Sequence, residues 1–345
     1  MFETFQDLHS LIFDPSRLPV AAIALFISAF IGVMIGPVGG DTNPLYWRII
    51  SGLVGGMGGK MDKPGRPRGD LILRGFIITV VALLISYAIG EFLKTLVNVF
   101  PVWKVTEILA LSMLLSSGAL WIVLMKLHKA LEQKTVGEGT YYALARTARQ
   151  NLSVVDDYTI TRTGIGLAVR GFDKALVAPI VWYLILGLPG AYVYAALAAL
   201  SWRFGRDGTS NGFAVIMIAL EKLTGMIPSI FSATLLSLAC VFTPTAMMTK
   251  ALKGWNAHKN NAPYPEGGLP MTAVAWGLEI SLGGPATDLD GHVIKRTWVG
   301  PQGATAQLDS KHLHRAVYCV LMATLLLFMT LIGGMIVSGH QLLDF

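Results

Sequence analysis

Charge is scarce in this 345-residue chain: Asp, Glu, Lys and Arg make up 14%, against 53% hydrophobic residues and a mean hydropathy of +0.58. That balance excludes an ordinary water-soluble domain. Cysteine is nearly absent too. Cys240 and Cys319 both sit inside apolar runs, so they read as small hydrophobic residues and exclude a disulfide framework or a cysteine-rich zinc site. The start of the chain lacks the basic segment of a cleaved signal peptide, because Glu3, Asp7 and Asp14 precede the first basic residue, Arg17. Aromatic and basic residues do not interleave, so the net charge of +6 is assigned to membrane orientation and anionic lipid rather than to nucleic acid. No internal repeat, low-complexity tract or Ser/His/Asp constellation is present.

What the chain has in abundance is long apolar runs. Residues 18–36, 75–90, 108–125 and 316–339 are free of charge and predict four transmembrane spans. Two further uncharged runs, 175–202 and 223–249, are broken by Pro179, Gly187, Pro189 and Gly190 and by Gly225, Pro228 and Pro244. They are read as broken spans, re-entrant hairpins or buried helices. The expected fold is an all-α polytopic membrane protein with four to six transmembrane helices and cytoplasmic helical or loop segments. Lys60, Lys63, Arg66, Arg68 and Arg74 in the first loop, and Lys126, Lys129, Lys134, Arg146 and Arg149 after the third span, place both loops in the cytoplasm. Three blocks result: an N-terminal transmembrane bundle (1–125), a mixed membrane and cytoplasmic block (126–312) and a last span (313–345).

Function is expected in the mixed block. The stretch "YPEGGLPMTAVAWGLEISLGGP", residues 264–285, predicts a turn at Pro265 and Gly267–Gly268, then a helix opened by Pro270 with Met271, Val274, Leu278 and Leu282 on one face, ended by Gly283–Gly284. Free amides at its start could hold a phosphate or carboxylate; a surface helix with ordinary caps is the alternative. Asp288, Asp290 and His292 follow at alternate positions, a spacing that suits magnesium when a phosphate completes the shell, or simply a solvated turn. "LVGGMGGKM" is not a phosphate loop, since Val54 and Met61 stand where glycine and a hydroxyl residue are required. His312 and His314 read as interfacial residues. Ionisable groups inside apolar runs are costly, which singles out Arg170, Asp173 and Lys174, and Glu221 and Lys222, either as functional groups or as local ion pairs.

The order of "ALARTARQNL", "TRTGIGLAVRGFDKALVAPIVWYLILGLPGAYVY", "ALEKLTGMIPSIFSATLL" and the 264–285 stretch resembles the adenosylcobinamide-phosphate synthase family of cobalamin biosynthesis, CobD or CbiB, over about residues 140–300. The resemblance implies an inner-membrane enzyme of bacteria that uses ATP and magnesium to join aminopropanol, or its phosphate, to a carboxylate of the corrinoid adenosylcobyric acid. Its candidate substrate- and phosphate-binding residues are Arg162, Asp173, Asp207, Glu266, Gly268, Gly283 and Gly284, with Asp288 and Asp290 for the metal.

The departures from the family pattern fall on polar residues. Gln150, Asn151 and Leu152 replace an Arg-Asp-Thr tripeptide; Gly166, Arg170, Gly171 and Lys174 replace two glutamates, an asparagine and an aspartate; Glu221, Lys222 and Gly225 replace an Asp-Asp pair and an asparagine; Ile230 replaces an arginine. Met271 stands where the family has glutamate. A lysine in place of a metal-binding carboxylate puts a cation where a cation must bind. Two functions therefore stand: a divergent synthase, and a catalytically degenerate relative, similar to the AmpE branch, acting as a membrane sensor or as a scaffold for other membrane proteins. A transporter, suggested by the broken runs, lacks paired repeats.

Overall fold

A computed structural model of the chain describes residues 14–63, 65–99, 104–116, 118–136, 139–205, 208, 212–257, 260–289 and 291–339. The described chain is mostly helical, with connecting loops and four two-residue strands. In order, the helices are α1 (Arg17–Ile35), α2 (Leu45–Leu53), α3 (Gly55–Met61), α4 (Arg68–Val99), α5 (Lys104–Ser112), α6 (Gly118–Gln133), α7 (Tyr142–Ala148), α8 (Asp157–Phe172), α9 (Ala178–Phe204), α10 (Val215–Phe242), α11 (Met248–Trp255), α12 (Gly268–Gly277) and α13 (Ser310–Ser338). Five segments are long and apolar enough to cross a bilayer: Arg17–Ile35, Arg68–Val99, Asp157–Phe204, Gly212–Phe242 and Ser310–Ser338. The chain is an all-α, multi-pass membrane protein.

The expected span at 108–125 is not one helix. Its backbone leaves the helix after Ser112, where Tyr46 donates its amide to the Met113 carbonyl at 3.1 Å and Ser116 donates to the Ala175 carbonyl at 3.0 Å. Backbone groups freed by the break are thus satisfied inside the protein. Leu111, Leu114 and Leu124 are fully buried, while Leu109 and Met125 are exposed, so most of this hydrophobicity serves the core rather than lipid. Helix α6 crosses α1 closely. A methyl group on Gly118 would run into the Ala29 carbonyl and the Val33 amide, and one on Gly32 into the Gly118–Ala119 backbone; small residues let the two backbones meet.

The two interrupted runs both form helix. Helix α8 continues through a single π turn, Asp173–Val177, into α9, with the Ala178 amide reaching back to the Asp173 carbonyl. Pro179 lacks an amide proton, so the chain tolerates this widened turn there. The extra residue turns both Asp173 and Lys174 inward; they are 2% and 4% exposed. Further on, Gly187 takes φ 69° and ψ −161° and kinks α9 just before Pro189. Helix α10 carries Pro228 in its interior and ends at Phe242.

Residues 264–285 depart from the surface-helix alternative. Helix α12 is buried on nearly every side, with Pro270, Met271, Thr272, Ala273, Val274 and Ala275 all inside. After it the chain forms two short antiparallel ribbons: β1 (Leu282–Gly283) pairs with β4 (Trp298–Val299), and β2 (Ala286–Thr287) pairs with β3 (Val293–Ile294). Helix α13 opens with a capping box, in which Asp309 accepts from the His312 amide at 3.1 Å and its carboxylate sits 2.6 Å from His312 Nδ1. That contact gives His312 a structural role.

Candidate functional site

A cavity of about 890 Å³ opens between α8, α9, α10 and the segments 263–266 and 293–296. Two smaller ones, of about 50 and 30 Å³, adjoin it, and Arg170 is common to the lining of all three. Its Nε is buried and has no hydrogen-bond partner, while opposite charge reaches it from Glu221, Asp173 and Glu266. A buried polar atom left unpaired is costly, and an anion in the cavity is the natural partner for the rest of the group.

Lys174 and Glu221 form the wall beside it. Lys174 Nζ lies 2.6 Å from Glu221 Oε1, with both side chains buried. This pair joins the π turn to α10, so it is a tertiary contact rather than the local ion pair that sequence alone allows. Tyr264 completes it: its hydroxyl donates toward the Glu221 carbonyl at 3.0 Å and Oε1 at 3.1 Å, and its ring lies 4.4 Å from Lys174 Nζ. Burial, followed by the field of Glu221, pushes the Tyr264 hydroxyl well above the ordinary tyrosine range. Gly225 makes room for this tyrosine, since a methyl group there would overlap the hydroxyl.

The expected site residues divide into groups. Asp173 is buried behind the cavity wall, where its carboxylate accepts from Ser229 and Ser232, each at 2.8 Å. Glu266 lines the main cavity and accepts from the Thr297 amide at 3.0 Å; burial raises its carboxyl above the ordinary value, against the pull of that amide, Arg296 and Arg170. Arg162, Gly283 and Gly284 line the smaller cavity with Arg170 and Glu266. Arg162 is already engaged, donating to the Ala306 carbonyl at 2.8 Å and Thr159 Oγ1 at 2.6 Å, with Trp298 packed 5.1 Å away. Gly283, at φ 76°, allows the Thr297 carbonyl to approach, and Gly284, at φ 75°, lies under the Trp298 ring. Gly268 gives its amide to the Pro263 carbonyl at 3.1 Å, so that donor at the start of α12 is used within the protein. Asp288 is buried, accepts from the Leu289 amide at 2.6 Å and lines none of these cavities. Asp207 and Asp290 lie outside the described residues.

Gln150, one of the departing positions, and Trp47, Trp202 and Arg296, which the sequence did not mark, complete the lining. With the Gln150 amide turned so that its oxygen faces Arg296, it accepts from both guanidinium nitrogens at 2.9 and 3.2 Å. Trp47 and Trp202, whose ring centroids are 6.3 Å apart, close another side. Arg296 reaches the cavity only because the β2–β3 ribbon folds back. Nothing in its local sequence announces that.

Most positions that depart from the resembled pattern, though not Asn151, Leu152, Gly225 or Ile230, line these cavities. Gln150, Gly166 and Met271 line the smaller cavity, Gly171 the smallest, Lys174 two of the three, and Glu221 and Lys222 the largest. They are scattered over four segments of sequence, yet they surround one space.

Comparison with known proteins bears on the same region. A family model described as CobD/Cbib protein matches residues 15–320. The chain is 25% identical over 282 residues to a cobalamin biosynthesis protein CobD of Brucella anthropi, covering 78% of this chain and 82% of that protein. It is 23% identical over 318 residues to a protein of the same name from a Sinorhizobium species, covering 88% and 97%. It is 23% identical over 208 residues to a probable cobalamin biosynthesis protein CobD of Pyrococcus abyssi, covering 60% and 68%. No solved structure matches.

Proposed function

The chain belongs to the CobD/CbiB family, and from that premise we propose that it serves cobalamin biosynthesis as a non-catalytic membrane protein whose Arg170 cavity binds a carboxylate- or phosphate-bearing ligand. The observation that carries this reading is the buried Lys174–Glu221 pair at the cavity wall. An ammonium ion bonded at 2.6 Å neutralises the carboxylate that a divalent cation would need.

The finer activity implied by the family resemblance is ATP-dependent amide formation between adenosylcobyric acid and aminopropanol or its phosphate. The cationic lining supports the binding half of that reaction. Arg170, Lys222, Lys295 and Arg296 face the main cavity, against Glu266 and the already paired Glu221, and both a carboxylate and a phosphate ester are anions of the right size for such a clamp. Magnesium fits the described residues poorly. They contain no group of three His, Cys, Asp or Glu side chains able to hold a metal ion, and of the carboxylates, Glu266 is spent on the Thr297 amide and Asp173 on two serines. No step through magnesium or ATP is therefore derived.

These observations favour the degenerate, ligand-sensing or scaffolding role over the synthase role. Placement in the inner membrane of a bacterium, with the cavity mouth toward the cytoplasm, is part of the proposal and is supported by the basic loop 60–74. The test is complementation of a cobalamin auxotroph that lacks its own CobD and is fed adenosylcobyric acid. Full membrane expression without growth is expected; growth would establish the synthase reading instead.

A further inference from the structure

Helix α10 turns its polar groups toward the protein. Glu221 meets Lys174 there, Gly225 makes room for Tyr264, and Ser229 and Ser232 hold Asp173. The opposite side is apolar and open. Leu223, Met226, Ile227 and Ile230 are 70, 54, 62 and 48% exposed, and they follow one another at the three- and four-residue steps of a single helical face. Outward apolar residues are ordinary on a segment long and apolar enough to cross a bilayer.

What is not ordinary is where the Arg170 cavity opens. Val215, Ile218, Ala219, Glu221 and Lys222 all line it. At about 3.6 residues per turn these five cover roughly half of the circumference of α10. They run from the buried Glu221 round to Ala219 and Lys222, which are exposed, so the cavity reaches from the protein side of the helix to its outer side. Ala219 stands one turn before Leu223, and Lys222 one turn before Met226, so the cavity wall continues into the apolar stripe. Trp182 closes one flank by donating its indole N–H to the Thr224 carbonyl at 3.1 Å. Lys222 and Lys295, the exposed cations of the lining, form no ion pair among the described residues. A charged lining that empties among outward apolar side chains is the mark of a ligand path.

We propose that the cavity binds the head of an anionic amphiphile, a lipid carrying a phosphate or carboxylate, whose tail lies along Leu223, Met226, Ile227 and Ile230. The inference rests on the reading of the Arg170 cavity as an anion site and names the class of ligand it takes. Charge complementarity assigns the head: Arg170, Lys222, Lys295 and Arg296 face the cavity against Glu266, with Glu221 already paired to Lys174. The stripe assigns the tail, since Lys222 to Ile230 is about 12 Å of helix and residues 223–230 carry no charge. A soluble anion would use the cations alone.

The test uses the full chain purified in a neutral detergent with EDTA. Labelled pyrophosphate in equilibrium dialysis reports the cavity by itself; no binding overturns the anion-site reading from which the inference starts. Mixed micelles of phosphatidic acid should displace the pyrophosphate, whereas phosphatidylcholine micelles should not. Phosphatidic acid with a diazirine in its acyl chain should, on illumination, label residues 223–230, and excess pyrophosphate should cut that labelling severalfold. Met226→Glu with Ile230→Glu puts charge on the stripe. Losing about two methylenes' worth of contact should raise the phosphatidic acid needed for displacement about tenfold relative to glycerol phosphate, which has the head alone. If that variant fails to insert, Leu223→Ala with Ile227→Ala reads the same ratio. With pyrophosphate bound, the lipid inference alone is overturned if phosphatidic acid does not displace it, if the label spreads over the outer surface without protection by pyrophosphate, or if the ratio is unchanged in the variants.

Discussion

Replacing Lys174 by methionine keeps the length of the side chain and removes its charge, which leaves the Glu221 carboxylate buried without its ion-pair partner. Both side chains are nearly inaccessible, at 5% and 1% of their surfaces. Breaking a pair of this kind from one side costs roughly 3–5 kcal/mol, because the remaining charge is stranded away from water. The Tyr264 ring, 4.4 Å from the ammonium, adds a smaller loss of about 1 kcal/mol. Replacing both partners, as Lys174→Met with Glu221→Gln, strands no charge and keeps an acceptor for the Tyr264 hydroxyl, so it should return to within about 1 kcal/mol of the wild type. The assay is unfolding in mixed micelles titrated with sodium dodecyl sulfate and followed by tryptophan fluorescence, run on all four members of the cycle. A coupling energy above about 2 kcal/mol supports the pair as drawn. The reasoning fails if Lys174→Met alone costs under about 1 kcal/mol, or if the two changes simply add.

Other expectations rest on separate contacts. Gly225→Ala should destabilise by about 1–3 kcal/mol through its overlap with the Tyr264 hydroxyl, and Tyr264→Phe in the same chain should recover part of that loss in the same unfolding assay. Gly118→Val should cost at least as much by prising α6 from α1, and thermal scans in detergent will show it as a lowered midpoint. Arg170→Ala should weaken binding of an anionic ligand about 10- to 100-fold, read by equilibrium dialysis with labelled pyrophosphate. The raised Glu266 carboxyl favours its neutral form in the folded chain, so its contribution is present at low pH and is lost as pH rises through the raised value. Relative to Glu266→Gln, the wild type should therefore lose stability over that interval as pH increases, and equal pH profiles for the two proteins would count against the burial of this group.

Much of the fold was legible because lipid imposes a simple rule: uncharged runs of a bilayer's length become helices. Residues 18–36, 75–90 and 316–339 obey it, and α1, α4 and α13 lie over them. The run 108–125 breaks the rule because all its leucines but Leu109 are buried by neighbouring helices, and hydropathy does not separate burial in protein from burial in lipid. Glycines and prolines in 175–202 left several outcomes open; the structure resolves them into one helix with a π turn and a kink at Gly187, features that depend on tertiary contacts. Within the site, the sequence marked Arg170, Asp173, Lys174, Glu221 and Lys222 through the cost of charge in an apolar run. It did not mark which charges would meet. Lys174 finds Glu221 across helices while Asp173, its immediate neighbour, turns to Ser229 and Ser232. Arg296 and Gln150 come together through the ribbon and loop that follow α12, a long-range arrangement with no periodic signature.

The central claim is that the cavity around Arg170 takes an anion on its own cations, with Lys174 standing where a divalent ion would be needed. Binding of labelled pyrophosphate to the purified protein, measured by equilibrium dialysis in EDTA and again with excess magnesium, addresses it directly. Binding in EDTA is expected, and no tighter binding once magnesium is added, because magnesium complexes free pyrophosphate and competes with the protein's cations for it. Binding that appears only when magnesium is added would contradict it.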